Sequence, residues 1–242
     1  MRSILLIFCG LLPAIAFAQK QASPYTLNAE VNFPKGDETG RTLYFVYQQN
    51  GELKTDSAII TNNKCTFNGR ADLMVKTSLQ FTKPNSTPEP ALDPNSLSLY
   101  LNNGLTNVKA TGFLSRAQVT GSAMQDEYAA FIKKYSRWDR TLTQAGRRKR
   151  NLPKTDTLRL KAVNKTIDSV QNIKMAELCL FLNNNIGKPY AVEAILMYLK
   201  AKGSSLDVHK ANDYYSQLAD EQKHSADGLE VEKTIADIKK HQ

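Results

Sequence analysis

Cysteine, histidine and tryptophan are scarce in this sequence of 242 residues: three, three and one. No CxxC pair occurs, which excludes the close dithiol that thiol-disulfide exchange uses. His209, His224 and His241 are scattered without HxxxH or HxH spacing, so no metal ligand set and no cofactor is implied. A GxSxG elbow and a glycine-rich phosphate loop are both missing. Asp56-Ser57 stands in a strand-like context where such a neighbour pair is commonplace. The 23 acids offer no pairing into the facing carboxylates of a glycosidase that sequence reveals. No catalytic residue is assigned, and the chain is expected not to be an enzyme.

Long apolar runs are also rare, and the one present is informative. Arg2 gives a short basic start, residues 4–17 are apolar apart from small interruptions at Cys9, Gly10 and Pro13, and Ala16-Phe17-Ala18 is a small-x-small cleavage pattern. The run of 14 residues falls short of the roughly 20 that a spanning helix needs. It therefore reads as a signal peptide, residues 1–18, cleaved near Ala18-Gln19. Cys9 follows Leu6-Ile7-Phe8 in mid-run, which does not suit lipidation. The expected product is exported to the periplasm or outer cell envelope. Cys65 and Cys179 then remain, 114 positions apart, each in an apolar context that suits a small buried free thiol better than a bridge.

With 41% hydrophobic and 23% charged residues, the remainder has the balance of a globular protein. Tyr25, Leu27, Ala29, Val31 and Phe33 alternate with polar neighbours, as do Leu43, Phe45 and Tyr47, the period of a half-buried strand. Further strands are expected at 56–61, 64–70, 76–81, 97–101, 106–111 and 117–120. The turn-formers Gln49-Asn50-Gly51, Asn62-Asn63 and Asn102-Asn103-Gly104 separate them. Pro84, Pro88, Pro90 and Pro94 make 83–95 an exposed loop. Tyr44, Tyr47 and Tyr100 sit on strands, where aromatic residues are more often packing than a binding face.

At Gly121 the period changes to that of a helix. Ser122-Ala123-Met124-Gln125 has the pattern of a capping box, and Tyr128, Phe131, Ile132, Tyr135, Trp138 and Leu142 mark one face. A second helix should begin near Asp156, carry Leu160, Val163, Ile167, Val170 and Leu178 on its stripe, and stop at Asn183-Asn184-Asn185. Three shorter helices follow at 190–202, ended by Gly203, at 207–219 and at 225–239. The fold class is thus α+β. An N-terminal antiparallel β-sandwich, 19–121, precedes an all-α helical subdomain, 122–242.

Several segments in this order resemble a domain of unknown function that stands N-terminal to thioredoxin-like (AhpC/TSA, TlpA-like) domains in envelope proteins of the Bacteroidota. They are Tyr25-Thr26-Leu27-Asn28-Ala29-Glu30-Val31, Asp56-Ser57-Ala58 with Asn63-Lys64-Cys65-Thr66-Phe67-Asn68-Gly69, Leu101-Asn102-Asn103-Gly104, and Ala117-Gln118-Val119-Thr120-Gly121-Ser122 leading to Glu127-Tyr128. Gly187-Lys188-Pro189-Tyr190-Ala191 and Ser225-Ala226-Asp227-Gly228 continue the likeness. The resemblance implies a fold, an envelope location and an accessory role beside thioredoxin-like proteins. The family's usual tryptophan-cysteine-x-x-cysteine site is not found here, so redox activity is not carried over.

Charge is the most uneven property. Between 133 and 165 lie Lys133, Lys134, Arg137, Arg140, Arg147, Arg148, Lys149, Arg150, Lys154, Arg159, Lys161 and Lys165, against only Asp139 and Asp156. The balance of +10 exceeds the +9 of the whole chain. Arg147, Arg148, Lys149 and Arg150, expected in a turn between two long helices, are the candidate docking residues for an anionic ligand, a membrane surface or another envelope protein. Tyr135 and Trp138 nearby raise a basic-plus-aromatic theme, but they fall on the core face of their helix, and an exported protein seldom meets nucleic acid.

Overall fold

The computed structural model describes residues 22–33, 38–82, 95–201 and 206–240. The expected signal peptide, residues 1–18, the proline-rich loop over most of its length, Gly203 and His241 lie outside these residues. Strands β1 (Ser23–Val31), β2 (Thr42–Gln49), β3 (Glu52–Ile59), β4 (Lys64–Ala71), β5 (Thr77–Gln80), β6 (Ser96–Leu99), β7 (Gly104–Ala110) and β8 (Gln118–Thr120) come first. They form two four-stranded sheets, ordered β4-β1-β7-β8 and β3-β2-β5-β6. The turn residues do what their types allow. Asn50 and Gly51 adopt φ of 53° and 80° to close the β2–β3 hairpin, and Asn62 and Asn63, at 50° and 60°, carry the chain from the second sheet to the first. The alternating residues face inward, and Tyr25 of one sheet meets Phe45 and Tyr47 of the other edge-on at 5.4 and 5.6 Å.

Two details depart from expectation. β1 pairs with β7 in parallel, Leu27 opposite Thr106, so the sandwich is antiparallel in its other pairings only. The two strands are separated by most of the sandwich, and such long-range pairing leaves no local mark in the sequence. β3 also begins earlier than expected, at Glu52, where the tight turn starts its hairpin ladder at once.

The helices are α1 (Ala123–Asn151), α2 (Thr157–Asn185), α3 (Ala191–Lys200), α4 (Val208–Ser216), a one-turn α5 (Asp220–Lys223) that the periodicity did not announce, and α6 (Ala226–Lys240). Ser122 Oγ accepts from the Gln125 N–H at 3.2 Å, as a cap should. Gln125 does not complete the box. Its Oε1 instead accepts from the Tyr100 N–H at 2.9 Å and ties the start of α1 to the end of β6. α3 is apolar on nearly every side and forms the centre of the helical core, where a helix without a polar face belongs. The sandwich has a core of its own. Tyr100, one residue beyond β6, is buried in the helical core, with Tyr128 edge-on at 5.0 Å.

Ser225 caps α6, receiving the Gly228 N–H at 3.1 Å. At Gly228 the first turn of α6 passes so close to the preceding chain that a Cβ would lie 2.1 Å from the Gln222 carbonyl oxygen and 2.5 Å from that of Lys223. Gly228→Ala should therefore lower the unfolding free energy by about 2–3 kcal/mol in urea titrations. Gly112→Ala, where nothing lies within 4 Å, should change it by less than about 0.5 kcal/mol.

Candidate interaction site on the helical hairpin

Each helix of the α1–α2 pair has 29 residues, so each is about 43 Å long at 1.5 Å per residue. Only part of that length packs on the core. Beyond Tyr135 the one buried residue of α1 is Ala145, and α2 buries nothing before Lys174. Leu142 on α1 and Leu160, Val163, Ile167 and Val170 on α2 are half-buried, as expected where two helices cover each other without a third layer. The distal part is thus a two-helix arm reaching about 20 Å past Trp138.

Arg147, Arg148, Lys149 and Arg150 sit in this arm, with one correction to their expected setting. They occupy the end of α1, with Arg148, Lys149 and Arg150 in its last turn, where cations meet the negative end of the helix dipole, and the connection is the short stretch from Leu152 to Asp156. Arginine and lysine are good helix formers, so the helix continues until Leu152, which precedes Pro153. Asp156 then caps α2 by accepting from the Arg159 N–H at 3.1 Å and lies 3.5 Å from the Arg159 Nε. Four successive helical residues turn through about 300°, so the cations at 147–150 ring the helix axis.

The positive charge is not uniform along the arm. At its root Lys134 and Arg137 approach Glu177 at 3.6 and 3.1 Å, and the Trp138 indole N–H donates to the same carboxylate at 3.1 Å. Burial works against that carboxylate, but the Trp138 hydrogen bond and the two cations overcome it and hold its pKa below the ordinary value. Arg137 stacks 4.4 Å over Trp138, and Tyr135 is wholly buried, so neither aromatic joins the basic surface as a platform for bases. Lys174 pairs with Asp139 at 2.5 Å. Towards the tip, Arg147, Arg148, Lys149, Arg150, Lys154, Lys161 and Lys165 meet no carboxylate among the described residues. A shallow open groove of about 590 Å³ follows α2 past Leu160, Lys161, Asn164, Lys165 and Asp168.

The other polar cluster of note was not visible in the sequence. Lys76, from the turn between β4 and β5, reaches Asp227 of α6 at 2.6 Å and Glu193 of α3 at 3.6 Å, and the Tyr128 hydroxyl donates to Glu193 at 2.9 Å. All three charged side chains are about four-fifths buried. Burial disfavours the Lys76 ammonium, yet attraction to Asp227 and Glu193 more than compensates and raises its pKa. A nucleophilic or basic lysine needs the opposite shift, so this group is a structural cation. The Cys65 thiol is pushed up to about 11 by burial, which likewise opposes thiolate chemistry, and both cysteines are free. Asp56 accepts from the Tyr25 and Tyr47 hydroxyls at 3.4 and 3.1 Å, packing contacts between strands.

Lys76→Met should cost about 3 kcal/mol of stability, because two buried carboxylates lose their cation. The Lys76 contribution is complete below the ordinary lysine value of 10.5 and is lost as pH rises through the raised folded value. Burial raises the Tyr100 and Tyr128 hydroxyls too, which acts in the same direction above pH 10. Urea denaturation at pH 8 and 11 should show a large alkaline loss in the wild type and a smaller one in Lys76→Met.

Among known sequences, residues 25–128 match a family described as a domain of unknown function (DUF4369). The match runs from β1 into the second turn of α1. No curated protein and no solved structure matches the chain.

Proposed function

We propose that the protein is an exported, non-catalytic binding module of the cell envelope that docks on a negatively charged partner surface through the tip of the α1–α2 arm. The observation that carries this reading is the run of cations at the end of the arm: Arg147, Arg148, Lys149, Arg150, Lys154, Lys161 and Lys165 meet no carboxylate among the described residues, whereas Lys134, Arg137 and Lys174 nearer the root are paired with acids. Exposed, unpaired charges of one sign on a projecting element raise encounter rates and bind opposite charge with little desolvation cost. The basic and apolar pattern of residues 1–18 supports export. The accessory role is what the resemblance to the front part of thioredoxin-like envelope proteins of the Bacteroidota implies; the family match over 25–128 is to a domain of unknown function and carries no role of its own.

The test is retention of the chain beginning at Gln19 on envelope fractions as salt is raised, beside a variant with Arg147, Arg148, Lys149 and Arg150 all changed to Glu. Exposed charges are screened over about 8 Å at physiological ionic strength, so wild-type retention should fall steeply with salt. The variant should be released by at least about tenfold less salt-dependent binding, near the level of an uncharged control. Retention that ignores salt and survives the charge reversal would rule out the arm as the docking element.

A further inference from the structure

We infer that the surface met by the arm is an anionic lipid bilayer, with the side chain of Leu158 set among the headgroups. This rests on the docking role of the arm proposed above and names the partner. Leu158, in the first turn of α2, is 80% exposed, more than any other large apolar side chain described. It stands in the first turn after the connection that holds exposed Pro153 and half-buried Leu152. Around this apolar apex, residues 147–161 hold seven cations against the single acid Asp156, which is already engaged as the cap of α2. An apolar apex ringed by long basic side chains is the chemistry of interfacial binding: the leucine enters the acyl boundary while lysine and arginine stems lie along it and their charged ends reach phosphates.

The geometry favours lipid over a folded acidic protein. Four cations that ring a helix axis present no single face, which suits mobile headgroups better than carboxylates in fixed positions. The exposed Leu158 would require a complementary pocket on a protein partner but none on a bilayer. The distal arm, about 20 Å of paired helix beyond Trp138, buries only Ala145 of α1 and nothing of α2 before Lys174, so its surface is open to a bilayer. Among the described residues no helix is long and apolar enough to cross a membrane, so the association is one of contact at the surface.

The experiment is co-sedimentation of the chain beginning at Gln19, without the apolar leader that would itself bind lipid. The vesicles are either phosphatidylcholine alone or phosphatidylcholine with one third phosphatidylglycerol, at physiological salt. The wild type should partition at least about tenfold more strongly to the anionic vesicles. Leu158→Ser should weaken that binding about threefold to tenfold. The same substitution should leave retention on a polyanion column unchanged, and Leu158→Ser should keep the wild-type far-ultraviolet spectrum. Charge-dependent retention on envelope fractions without binding to anionic vesicles would overturn the lipid assignment and leave the docking role standing. Loss of both would remove the docking role itself, and equal vesicle binding by wild type and Leu158→Ser would exclude the leucine from the contact.

Discussion

A lysine taken out of water must be given opposite charge, and in this protein that requirement joins the two halves. Lys76 belongs to a turn of the sandwich, while Asp227 and Glu193 stand in the first turns of α6 and α3. Tyr128 extends the contact to α1 through Glu193. One buried cation thus fixes the starts of three helices against the end of the sheet, and removing it would strand two carboxylates in a water-poor seam. The hydrogen bond from the Tyr100 N–H to the Gln125 side chain locks the same junction from a second side. Because the root of α1 is held there, the direction of its distal half is held as well.

The arm that leaves this junction is built by a different balance. Its two helices cover each other through a narrow aliphatic seam, enough to keep them paired but not to bury either fully. Along its length the acids are spent near the root, where Glu177 gathers Lys134, Arg137 and Trp138 and where Asp139 receives Lys174. At the tip Arg159 meets Asp156, the other cations meet no carboxylate among the described residues, and an exposed leucine is added. Stability and binding charge are therefore separated in space: substitutions at the tip disturb few packed contacts, whereas those at the root and seam disturb many.

Much of this architecture was legible locally. Alternation placed the strands, the Asn-Gly and Asn-Asn pairs marked turns that need positive φ, and Ser122 and Asp156 announced the long helices. What escaped depends on residues distant in sequence. The parallel partner of β1 is β7, Gln125 turns from its own helix to Tyr100, and Lys76 finds acids 117 and 151 positions away, distances at which spacing conveys nothing. The basic cluster was visible as charge, but its helical setting and the exposure of Leu158 required the hairpin itself. Two of the motifs behind the family resemblance prove to be structural joints. Lys188 and Tyr190 both reach Glu127, at 2.8 and 3.2 Å, and Ser225, Asp227 and Gly228 serve as cap, ion partner and close approach.

The central claim is that contact with the envelope is made by the end of the arm and nowhere else. Hydrogen–deuterium exchange of the chain beginning at Gln19, with and without envelope membranes, tests it most directly. The account predicts slower exchange in residues 147–161 on binding, with the sandwich strands and α3 to α6 unchanged. Protection centred on the sandwich, with the arm exchanging as in the free protein, would contradict it.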